Sequence, residues 1–463
     1  MTDVTAPRNL VVIVLDTVRP DHLGAEASSW AAATPRLDEF SRAGVRFDRA
    51  YAEFPLTVPF RTSLVTGTTT FTNRPWSGLR ATDPHLAELV GLQGWQTAAF
   101  TDTPFRSDVG MDRGFDTFVE YSGKLRGDLA GDSHRPRSLP EPHIEPGQDA
   151  DRGRWRRYAE GWATDQPGVV GVEALVDGAI NWLDTECDSS RPFLLWVDSF
   201  QCHEPWVPPV LPDSGSRFLP LPSGPDPSWM QAGELEAVRA LYRGEIEHTD
   251  THVGRLLDHL RATGRMDDTL VLVCSDHGVP LTEHGTIRKI GMPLYDEMSR
   301  IVWTMAGAGV TCSADSAGGS VVRPTDWAGH SGRVSHALAQ PQDLLATVVD
   351  LFELDTSSVP RLWGDEPGAP GGIEGTSLRE VLAGTTDRVR GEAHFGVFGT
   401  RSAVVSWPWK LIDHRGQRPV ELFDLATDPG ELEDRSRTET DVVASLHHRM
   451  WRFANRWARA YHG

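Results

Sequence analysis

The sequence predicts an α/β fold built on a doubly wound, mostly parallel β-sheet sandwiched by helices. Two observations carry this prediction: short unbroken apolar runs end in polar residues, and amphipathic helical segments lie between them. Unbroken runs of Val, Ile and Leu are typical of parallel strands whose two faces are both covered. Strands that alternate with helices give a doubly wound sheet, in which ligands bind beyond the carboxyl ends of the strands.

Four segments carry the strand pattern. The first is residues 10–15 in NLVVIVLDTVRPDHLG, and the others lie in GWQTAAFTDT, RPFLLWVDSF and DDTLVLVCSDHG. Each run ends in Asp or in a polar cluster, which marks the end of the strand. A long helix is predicted in GELEAVRALYRGEIEHTDTHVGRLLDHLRATG, because its apolar residues recur every three or four positions and a glycine closes it.

A Gly- and Pro-rich stretch, GDEPGAPGGIEGTS, predicts a domain boundary near residue 375. Residues 1–375 then form the main domain, and residues 376–463 form a small C-terminal α+β subdomain. Residues 133–162 and 208–229 are also rich in Pro, Gly and charge. We interpret both as surface loops, with a role in lidding or lining a pocket as the alternative.

The net charge limits the classes of partner. A formal charge of −20 opposes broad attraction to nucleic acid or to an anionic membrane surface. An anionic substrate would therefore need cationic side chains within the site itself. The apolar run LVVIVL is too short for a signal peptide or a membrane span, so we expect a cytoplasmic protein that is not bound to membranes.

The cysteines support the same expectation. Cys187, Cys202, Cys274 and Cys312 are far apart and form no CxxC pair, so the spacing indicates neither a zinc site nor a disulfide framework. We expect buried free thiols in a reducing compartment.

Acidic and histidine residues follow two of the predicted strands. Asp16 ends the first strand, and Asp276 and His277 end the strand in CSDHG. A single Asp at such a position is often only a turn residue. Two carboxylates and an imidazole at one edge of a sheet nevertheless suit a divalent cation.

The stretch FPLTVPFRTSLVTG presents two interpretations of Thr57. Thr is a favoured N-cap, because its hydroxyl satisfies a free backbone N–H at a helix start. Alternatively, Thr57 is a nucleophile beside Arg61, since a bound cation lowers the pKa of a coordinated hydroxyl. The residues alone leave both open.

The ordered motifs along the chain resemble those of the sulfatases and related phosphodiesterases of the alkaline phosphatase superfamily. NLVVIVLDTVRPDHLG is similar to the opening strand motif, and TVPFRTSLVTG to the Cys/Ser-x-Pro-x-Arg nucleophile motif. TLVLVCSDHGVPLTEHG and IRKIGMPLYDEMSRI resemble the second metal segment and the helix behind it, and ELFDLATDPGELED resembles the C-terminal signature. The resemblance implies an alkaline phosphatase-like catalytic domain over residues 1–375.

The resemblance also implies the roles of individual residues. One divalent metal ion, of the kind Mn, Ca, Mg or Zn, would be held by Asp16, Thr57, Asp276 and His277. Thr57 would be the nucleophile, and Arg61 would hold the anionic group. Lys289 would contact the transferring group, and His203 in QCHEPWVPP would protonate the leaving oxygen. The residues alone favour an exposed lysine at position 289 and leave His203 equally open to a neutral loop histidine. His284 in TEHG lies near the second metal segment, and a polar turn residue explains it as well as a functional role does.

Thr57 departs from the sulfatase pattern in an informative way. Cys or Ser at this position is converted to formylglycine in sulfatases, and Thr cannot become that aldehyde. Thr17 also stands where sulfatases have the second Asp of an Asp-Asp pair. We therefore expect a hydrolase or transferase of small phosphate-type esters. A sulfuryl ester hydrolase or sulfotransferase is the close alternative, and a catalytically inactive anion-binding protein is the alternative of another class.

Overall fold

The computed structural model describes residues 6–103, 105–121, 171–204, 233–289, 291–310, 332–356 and 372–455, together with residues 206, 208 and 228. The predicted loop at 133–162, nearly all of the loop at 208–229, and Cys312 lie outside these residues. Of the other cysteines, Cys202 and Cys274 are buried thiols as expected and Cys187 is a half-buried thiol, and these three form no disulfide.

The described strands are β1 Asn9–Leu15, β2 Val45–Phe47, β3 Gln96–Thr101, β4 Thr117–Glu120, β5 Phe193–Ser199, β6 Thr269–Ser275, β7 Trp303–Gly307, β8 Arg333–Ser335, β9 Ala393–Val397, β10 Arg401–Ser406, β11 Trp409–Asp413 and β12 Glu421–Asp424. The four predicted strand segments correspond to β1, β3, β5 and β6 of the structure.

The described α-helices alternate with these strands. They are α1 Pro35–Arg42, α2 Thr57–Thr66, α3 Leu86–Gly91, α4 Val172–Thr185, α5 Glu234–Ala262, α6 Asp296–Ser299, α7 Asp343–Leu351, α8 Arg379–Leu382 and α9 Thr440–Ala454. The long predicted helix is α5, and Gly264 follows it with a left-handed φ of 73°. Glycine adopts this conformation without a steric penalty, which explains why the helix ends there.

Eight strands form the large sheet in the order β4-β3-β5-β1-β6-β7-β2-β8. β1 pairs in parallel with β5 on one side and with β6 on the other. β7 runs antiparallel to both of its neighbours, and the other pairings in this sheet are parallel. The prediction of a mostly parallel sheet is confirmed.

Both faces of the large sheet are covered, and β1 shows this most directly. Val11, Ile13 and Leu15 pack into one core, which also includes residues of α1, α4 and α5. The alternate residues Leu10 and Val12 pack into a second core with residues of α2, α3, α7 and α8. Side chains alternate between the faces of a strand, so an unbroken apolar run requires an apolar layer on each side. The sheet is therefore doubly wound, as predicted.

A second, smaller sheet lies in the C-terminal part of the chain. Its four antiparallel strands run in the order β12-β11-β10-β9, and α9 packs on it through Leu446 and Met450. This arrangement agrees with the predicted small C-terminal α+β unit, while the boundary near residue 375 and the cytoplasmic location stay predictions. None of the described helices is both long and apolar enough to span a bilayer.

Candidate active site

The carboxyl ends of three neighbouring strands bring three aspartates together. Asp16 directly follows β1, and its backbone N–H donates to the carbonyl of Ser199 at 2.9 Å. Asp276 directly follows β6, and Asp198 is the last residue but one of β5. Because β1 lies between β5 and β6, the three carboxylates meet at the edge where doubly wound sheets bind ligands.

Asp16, Asp276 and His277 offer one ligand atom each within 4.8 Å of one another, and all three side chains are buried. Among the described residues, Asp16 Oδ2 and His277 Nε2 find no hydrogen-bond partner, although buried polar atoms normally have one. Nδ1 of His277 faces the carbonyl of Gly278 at 2.8 Å, so Nδ1 carries the proton and Nε2 keeps its lone pair. Two carboxylate oxygens and one imidazole nitrogen fit a divalent cation.

The ionisation of this cluster follows from its burial. Burial raises the pKa of Asp16, and the neighbouring charge of Asp276 raises it further. Burial and the positive charge of Lys289 lower the pKa of His277 to about 3. His277 is therefore a neutral imidazole at neutral pH, which is the form that coordinates a metal.

Thr17 connects the two aspartates of the candidate metal site. Its backbone N–H donates to Asp276 Oδ1 at 2.9 Å, and its hydroxyl donates to Asp16 Oδ1 at 2.6 Å. Its φ is 66°, a left-handed conformation that is a genuine outlier for a β-branched residue. Such strain persists only where surrounding contacts enforce it. Here the hydroxyl of Tyr242 donates to the Thr17 carbonyl at 2.7 Å.

Arg61 lies fully buried among the aspartates. Its Nε and Nη2 donate to Asp198, at 2.9 Å to Oδ2 and 2.6 Å to Oδ1 respectively. Nη1 donates to Asp276 Oδ2 at 2.6 Å and to the carbonyl of Thr57 at 3.0 Å, and Nη2 lies 3.3 Å from Asp16 Oδ2. The guanidinium that was expected to hold the substrate anion thus uses its donors on protein acceptors, and its contacts are those of a positioning residue.

Thr57 is the first residue of α2 and is half-buried. The N-cap is Leu56, and in the described part of the chain no side-chain hydrogen bond caps this end of the helix. The N-cap interpretation of Thr57 is therefore wrong for this structure. A hydroxyl at the first turn lies near the positive end of the helix dipole, which favours a negative charge on its oxygen.

Lys289 reaches the site from the segment that follows β6. Its Nζ donates to the hydroxyl of Thr17 at 3.3 Å and lies 4.0 Å from Asp16 Oδ1. Lys289 is therefore beside the candidate metal cluster, and it is not an exposed lysine. Glu204, whose side chain is 3% exposed, lies 3.7 Å from Nζ and 3.6 Å from Arg288 Nε. Burial alone would raise the pKa of Glu204, but the attraction of His203, Lys289 and Arg288 lowers it below its usual range.

His203 stacks on Phe200, with ring centroids 4.0 Å apart. Its Nδ1 donates to the backbone carbonyl of Glu204 at 2.6 Å. Although Glu204 favours the charged ring, burial dominates and lowers the pKa of His203 to about 4. A neutral imidazole in this tautomer accepts a proton at Nε2 before it can donate one.

Two residues of the site, Asp198 and Glu204, are not among those that the sequence motifs predict. Asp198 had an available signal, because it ends an apolar strand in the same way as Asp16 and Asp276 do. Glu204 had no such signal in the sequence, since a charged residue between a histidine and a proline is typical of a loop. His284 is not brought to this cluster; its ring contacts Glu297 and the backbone of Glu431.

Similar proteins are known for most of the length of this chain. The Sulfatase family model matches residues 8–354. An arylsulfatase from Clostridium perfringens is 22% identical over 475 aligned residues, which cover 93% of this chain and 90% of the relative. A protein solved in complex with its substrate D-glucosamine-2-N,6-O-disulfate has a TM-score of 0.69 at 17% identity, and the match covers 98% of both chains.

The phosphonate monoester hydrolase of Agrobacterium radiobacter has a TM-score of 0.65 at 19% identity, and the match covers 98% of this chain and 96% of that one. At these identities the structural matches show a shared fold. The family match spans well over half of the chain, and the resemblance noted in the motifs is confirmed. The chain belongs to the sulfatase family, a group of hydrolytic enzymes within the alkaline phosphatase superfamily.

Proposed function

We propose that this sulfatase-family protein is a metal-dependent hydrolase or transferase of phosphate-type esters, with Thr57 as its nucleophile. The observation that carries the proposal is the contact of Arg61 Nη1 with both the carbonyl of Thr57 and Asp276 Oδ2. One nitrogen atom thereby fixes the start of α2 against the candidate metal cluster. A capping threonine has no need of such a link, whereas a nucleophile must be held in register with the charges that stabilise its reaction.

The charges of the candidate site explain why a metal belongs in the proposal. The site contains four carboxylates and three cationic side chains. The carboxylates are Asp16, Asp198, Asp276 and Glu204, and the cationic side chains are Arg61, Arg288 and Lys289. This set alone repels an anionic ester. A divalent cation held by Asp16, Asp276 and His277, with Thr57 as a further ligand, would supply Lewis-acid stabilisation of the negative charge on the transferred group.

The reaction would then have two steps, the formation of a Thr57 ester and its breakdown. The Thr57 hydroxyl loses its proton to solvent, and its oxygen attacks phosphorus and forms a new O–P bond on the side opposite to the leaving oxygen. The bond from phosphorus to the leaving oxygen breaks, and His203, which has taken a proton from solvent at Nε2, gives that proton to the leaving oxygen. Water or an acceptor alcohol next forms an O–P bond and loses its proton to solvent; the bond from phosphorus to Thr57 breaks, and the Thr57 oxygen takes up a proton and becomes a hydroxyl again. Lys289 donates a hydrogen bond to the transferred group in both steps.

Sulfuryl ester hydrolysis or transfer is the second candidate function. The family match and the relative named arylsulfatase favour it. The neighbour named phosphonate monoester hydrolase favours phosphorus chemistry on the same fold. Thr57 supports the phosphorus assignment, because a Thr ester lacks the second hydroxyl by which a formylglycine hydrate expels sulfate.

The test is a substrate panel. Purified protein is assayed with aryl phosphate monoesters, phosphodiesters, phosphonate monoesters and aryl sulfates, each with Mn, Ca, Mg and Zn. We expect the highest kcat/KM for a phosphorus ester with one of these ions. Turnover restricted to sulfates would support the second candidate. No turnover together with no uptake of a divalent ion would support the inactive anion-binding alternative.

A further inference from the structure

His284 is the histidine of the conspicuous TEHG segment that the active-site cluster does not use. It lies near the end of a hairpin between β6 and Lys289, in which Leu281 and Ile287 form a bridge. The backbone N–H of Arg288 donates to the carbonyl of Pro280 at 3.0 Å, which closes the hairpin. The residues on the returning arm, Arg288 and Lys289, therefore depend on the position of the hairpin.

Both ring nitrogens of His284 face hydrogen-bond acceptors. Nδ1 lies 2.7 Å from Glu297 Oε1, and Nε2 lies 3.0 Å from the backbone carbonyl of Glu431. Two acceptors require two N–H donors, so this geometry belongs to the protonated imidazolium. Burial alone would lower the pKa of His284, but Glu297 and Glu431 raise it above its usual value. The ring also stacks on Tyr295, with centroids 3.6 Å apart and planes 6° from parallel.

The partner on the far side, Glu431, comes from the C-terminal part of the chain. It is 2% exposed and adopts a left-handed φ of 54°, which is unusual for Glu. Its Oε2 accepts from the backbone N–H of Asp296 at 2.5 Å, and its Oε1 lies 2.8 Å from Nζ of Lys410. Lys410 lies on β11, is fully buried and also pairs with Asp296 at 2.7 Å. The strained backbone of Glu431 is thus held by contacts on both of its sides.

The helix that contains Asp296 and Glu297 also contacts the segment of the candidate metal cluster. Asp296 and Glu297 begin α6, and the carbonyl of Met298 in that helix accepts the backbone N–H of Gly278 at 3.0 Å. A Cβ atom at Gly278 would lie only 2.2 Å from the carbonyl oxygen of Glu297, so glycine is required for this close approach. Gly278 directly follows the candidate ligand His277.

We propose that His284 is a positioning residue, which docks the hairpin that carries Lys289 onto Glu431 of the C-terminal part of the chain. The hairpin is held on one side by Arg19, which donates to the carbonyl of Val279 and to Glu283, and by Arg239, which donates to the carbonyl of Leu281. His284 attaches the hairpin at a second place, to the backbone of Glu431. Attachments at two separate places fix the direction of the returning arm, so that Lys289 reaches Thr17 and Asp16. The effect on turnover rests on the proposed function, whereas the docking itself does not.

A double-mutant cycle tests whether His284 acts through Lys289. His284→Leu removes both hydrogen bonds, and we expect kcat/KM to fall about tenfold or more. In a Lys289→Met background the same substitution should cost less than about twofold, because residues that act as a unit are not additive. His284→Gln keeps a donor near the position of Nε2 and should recover part of the loss. An equal loss in both backgrounds would overturn the inference.

His447→Leu is the matched control. His447 pairs with Asp413 at 3.4 Å, but its side chain is 49% exposed, and its partner is a half-buried residue at the end of β11 in the C-terminal sheet. We expect it to leave kcat/KM unchanged. Hydrogen exchange provides a readout that needs no turnover: amides of residues 279–289 should exchange faster in His284→Leu and as in the wild type in His447→Leu. Unchanged exchange in His284→Leu overturns the docking, whereas a wild type without turnover overturns only the proposed function.

Discussion

Arg61 and Asp198 form a buried two-pronged ion pair, with Nε 2.9 Å from Oδ2 and Nη2 2.6 Å from Oδ1. Two parallel hydrogen bonds fix the plane of the guanidinium as well as its position. The remaining nitrogen, Nη1, consequently points at the carbonyl of Thr57 and at Asp276. Asp198 therefore orients the group that ties the candidate nucleophile to the candidate metal site.

Asp198→Asn should lower both stability and turnover. The substitution leaves the buried Arg61 with one carboxylate fewer, and breaking a buried ion pair costs about 3 kcal/mol of unfolding free energy. It also releases the guanidinium plane, so kcat should fall. Urea unfolding and steady-state kinetics measure the two effects.

Asp83→Asn is the matched control for Asp198→Asn. Asp83 receives two hydrogen bonds from Arg74, at 2.6 and 2.9 Å, and this buried pair lies outside the candidate site. The control should lose stability but keep kcat. Equal kcat in both variants would return Asp198 to a purely structural role.

Asp16 and Asp276 could be predicted as site residues from the sequence, whereas the contact of Asp198 with Arg61 could not. The strands β1, β5 and β6 were predictable because a buried parallel strand is a contiguous apolar run, and the residues after such strands gather at one edge. Asp16, Asp276 and His277 followed from that rule. The pairing of Asp198 with Arg61 did not, since the two residues are 137 positions apart and a strand-ending Asp is ambiguous alone.

Short elements and reversed directions were also beyond the sequence. β8 has only three residues, which is too short for a periodic signal. β7 runs antiparallel to both of its neighbours, and the direction of a strand is not visible in its own sequence. Their places are decided by packing against elements far away in the chain. The neighbourhood of Lys289 and Glu204 has the same origin, because hairpin geometry brings together segments that no local pattern connects.

Asp16→Asn should abolish the stabilisation of the protein by a divalent metal. Burial raises the pKa of Asp16, so its charge destabilises the metal-free fold once the pH exceeds the ordinary carboxyl range. The neutral Asn removes that penalty, and the metal-free variant should be at least as stable as the wild type. Thermal unfolding with and without each ion measures both quantities.

A metal-dependent rise in Tm that is equal in the wild type and in Asp16→Asn would exclude Asp16 as a ligand. Asp267→Asn is a suitable control, because this exposed aspartate lies in the helical turn before β6, at the opposite end of that strand from Asp276. The control should keep the full rise.

Arg61→Lys should lower kcat/KM about tenfold or more, which corresponds to ~1.4 kcal/mol of transition-state stabilisation. Arg61 uses three nitrogens to contact Asp198, Asp276 and Thr57 at once, and a single ammonium cannot reproduce that fork. Steady-state kinetics measures the change. Arg74→Lys breaks the comparable fork to Asp83 and should leave kcat/KM near the wild-type value; equal losses in the two variants would contradict a specific role for Arg61.

Thr57→Ala should abolish turnover with little change in stability. Because Leu56 is the N-cap and no side chain caps α2, removing the hydroxyl should cost less than the ~1 kcal/mol that a capping threonine contributes. Thr57→Ser keeps an attacking oxygen and should keep a measurable part of the activity. Full activity in Thr57→Ala would remove Thr57 from the reaction.

The same hydroxyl should carry the transferred group between the two chemical steps. A Thr ester has no hydroxyl of its own to expel the group, so its breakdown needs water or an acceptor alcohol and the ester should accumulate when the second step is slow. Acid quenching during turnover of an activated aryl ester, followed by peptide mapping, should place one phosphoryl or sulfuryl group on the peptide that contains Thr57, and accurate mass distinguishes the two. An adduct whose lifetime shortens when acceptor alcohols are added indicates a transferase, and one that is insensitive to them indicates a hydrolase. The peptide from Thr57→Ala should carry none; an adduct there would place the nucleophile elsewhere.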